Sequence, residues 1–160
     1  MSGAAPRLLI RAATLAEIAA AAIAAYPHEC CGLLVGHDEE VGWRVTCWQP
    51  ATNVHPSPRR HFELDPAAHI ALLRQLRAAG GAERLLGHVH SHPDAPADPS
   101  ARDRALAHDR EMLWVIVSAT ATQAGPIAVW QPQPSSTEMA EFRQVPLIID
   151  NEMAGYEKRP

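Results

Sequence analysis

The sequence predicts a single α/β domain in which a mixed, curved β-sheet is flanked by helices. Two observations carry the prediction: helical segments alternate with pairs of short apolar strands, and 160 residues of ordinary apolar content suit one hydrophobic core. Alternation of this kind is typical of layered α/β folds, and the length fits one domain. We expect residues 1–135 to form this domain and residues 136–160 to add an edge strand and a tail.

The first half of the chain predicts a strand, a helix and a pair of strands. A strand at Leu8–Ile10 leads into an alanine-rich helix at Leu15–Ala25, which the capping-box pattern Thr14–Glu17 would begin. The apolar stretch is too short to cross a bilayer, and Glu17 interrupts any secretory signal, so we expect a soluble cytoplasmic protein. The two strands that follow are Cys31–Gly36 and Gly42–Trp48.

The second half predicts two more helices and several strands. A helix is expected at Pro66–Ala79, where Ala68, Leu72, Leu73 and Leu76 form an apolar stripe at helical spacing that should face the core. The remaining elements are a buried strand ending at Pro93, a helix after Ser100, strands at 112–118 and 126–131, a Pro/Ser-rich linker at 131–136, and an edge strand or tail through Ile149. The final ten residues should fray.

Two histidines, His90 and His92, stand one residue apart at the end of the predicted buried strand. Side chains two residues apart on a strand point to the same face, so both can hold one metal ion. Ser100 occupies the expected N-cap of the next helix, which places Asp103 in its first turn. Three protein ligands would leave the fourth tetrahedral position to water, which is the arrangement of catalytic zinc.

Glu29 lies where the first helix gives way to a strand, a position from which a carboxylate could overhang the metal. A carboxylate beside a zinc-bound water can accept its proton and pass it to a leaving amine. The residue type and its position therefore favour Glu29 as the general acid/base of a hydrolytic site.

Each candidate also has a simpler interpretation. His88 shares the strand face and could compete as a ligand, although a core role is favoured, and Asp94 and Asp98 are alternative carboxylates. Ser100 could serve only as a helix cap, and Glu29 could be an ordinary surface carboxylate. An ordinary core or surface role is also expected for His28, His37, His55, His61, His69 and His108.

Taken together, these residues resemble the motifs of the JAMM/MPN-plus zinc metalloproteases, in particular small stand-alone prokaryotic members. The motifs are Glu-Cys-Cys-Gly-Leu-Leu from Glu29, then His-Ser-His-Pro, then Pro-Ser-x-x-Asp, and no motif position departs from the family pattern. The likeness runs over residues 8–132. It implies a cytidine-deaminase-like sheet, one zinc ion held by His90, His92 and Asp103, Glu29 as acid/base, and Ser100 stabilising the oxyanion. The segments that extend the likeness are Asn53, Phe62–Pro66 and Leu113–Val117.

The resemblance also implies a class of substrate. Its members cleave bonds after the Gly-Gly terminus of ubiquitin-like proteins, so we expect a peptidase that removes residues beyond the C-terminal Gly-Gly of a ubiquitin-like sulfur carrier. The substrate would lie as a strand along a sheet edge. A deubiquitinase-like isopeptidase is the first alternative, with the loop Asn53–His61 as the one candidate insertion for a second protein. A non-catalytic MPN-type scaffold is the second, and a zinc nucleobase deaminase is disfavoured because Pro-Cys-x-x-Cys is absent.

Charge and cysteine content add two expectations. The net charge of −4 does not favour nucleic-acid binding, and Arg59–Arg60 and Arg74–Arg77 count as local basic spots only. Three cysteines, two of them adjacent, make a disulfide framework improbable and indicate a reducing cytosol. We expect Cys31 to pack beneath the site, with a redox role for its thiol as the less favoured alternative. The three are Cys30, Cys31 and Cys47.

Overall fold

The computed structural model describes residues 3–151, and within them the chain folds into an eight-stranded sheet and three helices. The predicted class, a mixed α/β domain with a curved sheet flanked by helices, is confirmed. The elements in chain order are β1 (Arg7–Ile10), α1 (Ala12–Ala25), β2 (Cys31–Glu39), β3 (Gly42–Ala51), α2 (Pro66–Ala79), β4 (Arg84–Pro93), α3 (Ala101–Leu106), β5 (Leu113–Ala119), β6 (Ala124–Gln133), β7 (Glu141–Val145) and β8 (Leu147–Ile149).

The strand order is β7-β6-β5-β4-β2-β3-β1-β8, which puts β4 near the middle of the sheet. β4 runs antiparallel to β2 and parallel to β5, so it is hydrogen-bonded on both sides. At the ends of the order, β7 pairs with β6 and β8 pairs with β1. Only Pro146 separates β7 from β8 in the chain, so one continuous segment joins both edges and curls the sheet nearly into a barrel.

The main core lies between the sheet and α1, whose buried residues Ile18 and Ala22 face strands β3 to β6. The predicted capping box at Thr14–Glu17 is wrong. The helix begins at Ala12 with Arg11 as an uncapped N-cap, and Thr14 is already helical and 4 % exposed. β1 ends at Ile10 and α1 begins at Ala12, so Arg11 alone connects the strand to the helix.

The helix α2 has the bounds that the sequence predicts. The Asp65 side chain accepts a bond from the Ala67 backbone N–H at 2.9 Å, and Gly80 ends the helix with φ of 64°, a left-handed conformation natural to glycine. The predicted apolar stripe is wrong at Leu73, which is 42 % exposed, whereas Leu72 is buried. α2 contacts the sheet along a narrow line, where Leu72 joins Leu33 and Val35.

The C-terminal segment supplies β7 and β8, which belong to the same sheet as the other strands. The division of the chain at residue 135 stays a prediction, and the predicted frayed tail lies mostly outside the described residues, which end at 151. Across residues 3–151, no helix combines the length and apolar character needed to cross a membrane.

Candidate metal centre

The strand β4 brings His90 and His92 to one face of the sheet. Both rings are buried, His90 completely and His92 to 8 % exposure, and the Phe62 ring and the Asp103 carboxylate contact them on this face. The intervening Ser91 points the other way, as the alternation of a strand requires. Its buried hydroxyl accepts a hydrogen bond from the Cys30 backbone N–H at 2.7 Å.

The short helix α3 supplies the third side chain, Asp103. The Ser100 hydroxyl accepts a bond from the Asp103 backbone N–H at 3.1 Å, and Asp103 Oδ2 accepts one from the Ser100 backbone N–H at 2.7 Å. This reciprocal capping box starts the helix and fixes the carboxylate. Asp103 is 4 % exposed and faces both histidines.

The three side chains fit a metal ion. His90 Nε2 lies 3.0 Å from His92 Nε2, and these atoms lie 3.4 and 3.3 Å from the two Asp103 carboxylate oxygens. A tetrahedral zinc ion with ligand bonds of about 2.0–2.1 Å has ligand atoms roughly 3.3 Å apart. The His92 Nδ1 atom donates to the Pro96 carbonyl at 2.8 Å, which leaves Nε2 as the nitrogen that could bind a metal ion. The converging donor set therefore matches the geometry of a tetrahedral site.

The side chains of this group are close enough to shift one another's pKa values. Burial alone would raise the pKa of Asp103, but hydrogen bonds from His90 and His92 outweigh it and hold that pKa below its usual range. Burial lowers the pKa of His90. For His92 burial also acts to lower the pKa, but the Asp103 carboxylate and the Pro96 carbonyl reverse the direction. The group therefore places one negatively charged carboxylate against two imidazoles, an arrangement that suits a bound cation.

Glu29 faces the same place from the loop after α1. It is 7 % exposed, and burial raises its pKa from an ordinary 4.5 to about 7. Together with His92 and Ser100 it lines a cavity of about 240 Å³. A carboxylate whose pKa lies near neutrality can both accept and release a proton at physiological pH, which is the requirement for a general acid/base.

Asn53 organises the loop around Glu29 and is a residue whose role sequence reasoning missed. Its Nδ2 donates to the carbonyls of Glu29 and His61, each at 3.0 Å. Its Oδ1 accepts from the backbone N–H groups of His55 and Glu63, each at 3.1 Å. The amide thus makes four bonds across three loop segments. The sequence marked Asn53 only as part of the resemblance, because no local pattern indicates a side chain that bonds several distant loop segments.

The roles of Ser91 and Phe62 were also missed, although Phe62 belongs to a segment that extends the resemblance. Ser91 ties β4 to the Glu29 loop, because its backbone N–H also donates to the Cys30 carbonyl at 3.1 Å. The Phe62 ring stacks on His90 at 4.3 Å between centroids and 17° between planes. The strand alternation around the two histidines could have revealed Ser91. Phe62 had no comparable signal.

The alternative ligands lie outside the three-residue group. His88 packs edge-on against Trp114 at 4.3 Å between ring centroids, and burial lowers its pKa to about 3. Asp94 accepts a hydrogen bond from the Tyr26 hydroxyl at 2.7 Å, and Asp98 is exposed. Among the described residues, the one group of three with metal-ligand spacing is His90, His92 and Asp103.

The cysteines and the arginines differ in how they relate to the site. Cys30 and Cys31 are buried free thiols and Cys47 is an exposed one, and the Cys31 Sγ contacts the Ala51 carbonyl at 3.6 Å. Burial raises the pKa of Cys31 to about 12, which keeps its thiol protonated and poorly nucleophilic. Arg59 and Arg60, which the sequence marks as a local basic spot, line the cavity beside Glu29.

The chain is similar in sequence to known proteins of one family. Residues 11–133 match the family model described as prokaryotic homologues of the JAB domain. A desampylase of Haloferax volcanii is 36 % identical over 92 residues, which cover 58 % of this chain and 63 % of that protein. A probable TtuB-protein conjugate cleaving protease of Thermus thermophilus is 42 % identical over 77 residues, 48 % of this chain and 47 % of that protein. The chain thus spans less than two thirds of the length of these relatives.

A solved structure extends the likeness to the whole fold. The solution structure of a protein from Desulfitobacterium hafniense superimposes with a TM-score of 0.73 at 28 % identity, covering 94 % of this chain and 99 % of that one. The family match contains the strand β4, the helix α3 and the loop that carries Glu29.

Proposed function

The chain belongs to the family of prokaryotic homologues of the JAB domain, and on this premise we propose that it is a metal-dependent hydrolase acting at the C-terminal tail of a ubiquitin-like protein. The bond cut would be the amide that follows the tail's Gly-Gly. The observation that carries the proposal is the convergence of His90, His92 and Asp103 beside a cavity lined by Glu29 and Ser100. The motif-based resemblance to JAMM-type proteins is confirmed by the family match.

His90, His92 and Asp103 would hold the metal, and zinc suits two imidazoles and a carboxylate in a tetrahedral arrangement. When bound, zinc supplies a Lewis acid and lowers the pKa of a coordinated water to about 7. The stacked Phe62 ring and the Pro96 carbonyl hold the two imidazoles in orientation, so the ligands are preorganised rather than assembled on binding.

Glu29 would move the proton. Its burial disfavours the charged form, so the carboxylate readily accepts a proton from water as the nucleophile forms. The same carboxyl group then gives that proton to the leaving amine. The backbone bonds from Glu29 N–H to the Pro58 carbonyl at 2.7 Å and from Asn53 to the Glu29 carbonyl hold the residue in place over the cavity.

Ser100 would stabilise the oxyanion of the tetrahedral intermediate. Its hydroxyl oxygen already accepts the capping bond from Asp103, which uses a lone pair and leaves the hydroxyl proton free to donate. Capping and oxyanion stabilisation are therefore compatible in one side chain. It lines the same cavity as Glu29, so its hydroxyl could donate to a substrate carbonyl bound in that cavity.

The nature of the substrate is supported by the relatives. One is named a desampylase and another a protease that cleaves TtuB-protein conjugates, so hydrolysis of conjugates is the second candidate function. Removal of residues from a sulfur carrier's Gly-Gly tail remains our leading proposal. Glycines have no side chains and can enter a cavity of about 240 Å³. The non-catalytic scaffold is disfavoured because the ligands and Glu29 are all present.

The first experiment is hydrolysis of a carrier tail. Purified zinc-loaded protein is incubated with a Gly-Gly-ending carrier from the same genome, extended by a few residues, and intact mass is followed. We expect loss of the residues beyond Gly-Gly, and no loss with Glu29→Ala that still binds zinc. A lysine-linked conjugate is run in parallel. Cleavage of the conjugate alone would replace the leading proposal by the second, and cleavage of neither would reject both.

A further inference from the structure

The cavity beside the metal centre has a basic wall. Arg59 and Arg60 line it together with Glu29, His92 and Ser100. Both arginines are exposed, and neither has an ion-pair partner in the part of the chain that the structure describes. Arg102 on α3 contacts the same loop, because its guanidinium donates to His55 Nε2 at 3.2 Å. The entrance therefore carries several cations.

The carboxylates close to this wall are engaged elsewhere. Asp103 accepts bonds from Ser100 and faces the two histidines, and Asp94 accepts from the Tyr26 hydroxyl. Glu29 is the acid/base of the proposed reaction. None of these carboxylates is hydrogen-bonded to either arginine within residues 3–151. Two free guanidinium groups in the wall of a cavity are a binding surface for an anion.

The loop that carries the arginines is fixed relative to the chemistry. Pro58, immediately before Arg59, accepts the backbone bond from Glu29 at 2.7 Å. The Arg60 backbone N–H donates to Ser57 at 3.2 Å, which closes a turn over the same segment. The position of the arginines is thus set by the same hydrogen bonds that hold Glu29. A ligand bound to the arginines would therefore lie in the same cavity as the scissile bond.

We propose that Arg59 and Arg60 form a carboxylate subsite that binds the free α-carboxylate of a short leaving group, one or two residues beyond the scissile bond. The inference deepens the proposed function and rests on it. A Gly-Gly tail has no charged side chain, so an anion in the cavity must come from the leaving side. A chain that ends just after the bond has its carboxylate there, whereas a lysine in the middle of a conjugated protein does not.

The dimensions of the cavity agree with a short leaving group. About 240 Å³ is less than the roughly 300–1,000 Å³ of pockets that enclose drug-sized ligands, and it has room for a residue or two. Guanidinium groups match the planar carboxylate and bind it through paired, charge-assisted hydrogen bonds. The subsite would therefore make the enzyme prefer trimming of a terminal residue to cleavage of conjugates.

The test uses three labelled hexapeptides that share a Gly-Gly segment before the last residue. Two end in Gly-Gly-Ala, one with a free carboxylate and one with an amide, and the third ends in Gly-Gly-Glu amide, which supplies the carboxylate from a side chain. For the zinc-loaded protein we expect kcat/KM about ten- to a hundredfold higher for the free carboxylate than for the amide, the range expected from charge-assisted hydrogen bonds. Arg59→Gln/Arg60→Gln should bring this ratio close to one. Arg74→Gln, which removes an exposed charge on α2 away from the cavity, should leave it unchanged.

Binding separates the two proposals. Dissociation constants for the same peptides are measured by fluorescence anisotropy on the zinc-loaded Glu29→Ala protein, with and without the two arginine substitutions. An arginine-dependent preference for the free carboxylate, with no turnover by the wild type of the peptides, the extended carrier or the conjugate, would reject the proposed hydrolase and retain the subsite. Turnover without that preference would retain the hydrolase and overturn the subsite. A preference for Gly-Gly-Glu amide over the free carboxylate would overturn the assignment to a chain terminus.

Discussion

Glu29→Gln in the metal-free protein should remove part of the pH dependence of stability. Burial raises the pKa of Glu29 from 4.5 to about 7, so the folded state binds this proton more tightly than the unfolded chain does. Stability from this group is therefore complete below about pH 4.5 and is lost as the pH rises through about 7. Glutamine keeps the size of the side chain and has no proton to lose in this range.

The magnitude follows from the two pKa values. The interval from 4.5 to about 7, at 1.36 kcal/mol per pH unit, corresponds to at most about 3 kcal/mol. Water in the adjoining cavity screens the carboxylate, so we expect about 2 kcal/mol. The free energy of unfolding of the wild type should fall by this amount relative to Glu29→Gln between pH 4.5 and 8.

Urea unfolding in the presence of a chelator, at constant ionic strength and at five pH values, measures the difference. Titration of His90, His92 and Asp103 contributes to both proteins and largely cancels. Glu63→Gln, an exposed carboxylate outside the cavity lining, is the matched control and should track the wild type. Parallel curves for the wild type and Glu29→Gln would show that Glu29 is hydrated as in the unfolded chain, and would refute the assignment of a buried acid/base.

Three further outcomes test the site. His92→Ala should lose zinc measured by atomic absorption, whereas His69→Ala, on α2 outside the ligand group, should keep it; a full complement in His92→Ala would place the metal elsewhere. Ser100→Ala should lower kcat by about 10²–10³ if its hydroxyl stabilises the oxyanion, and a loss of only about 1 kcal/mol in unfolding free energy with normal kcat would reduce it to a cap. Ser91→Ala should cost about 1–3 kcal/mol, because the buried Cys30 N–H loses its acceptor, and urea unfolding equal to that of Ser57→Ala would contradict this.

The fold and the convergence of His90, His92 and Asp103 could be predicted because their signals are local. Alternation along β4 places His90 and His92 on one face, and a serine three residues before an acidic side chain starts α3 and aims Asp103. The bounds of α2 follow from Asp65 before Pro66 and from Gly80. In each case the interaction that decides the structure lies within four residues of the pattern.

The remainder of the site depends on contacts between distant segments. Asn53 bonds to Glu29 across 24 positions, and Ser91 bonds to Cys30 across 61. Arg59 reaches the cavity because its loop bonds to the Glu29 backbone, which no helical or strand period encodes. The same reason explains why Leu73 is exposed. Helical periodicity predicts which residues share a helix face, but the width of the contact between α2 and the sheet decides how many of those residues are buried.

The single segment that joins both edges of the sheet has a consequence for how the molecule folds and opens. β7 pairs with β6, the strand that precedes it in the chain, whereas β8 pairs with β1, which is about 140 positions away. Such non-local pairing forms late in folding, because closing the intervening loop costs conformational entropy. The Arg44–Asp150 ion pair fastens the end of the segment. Amide hydrogens of residues 147–149 should therefore exchange through a sub-global opening that leaves β4 and its histidines protected, so the β1–β8 pairing can open without disturbing the group of His90, His92 and Asp103.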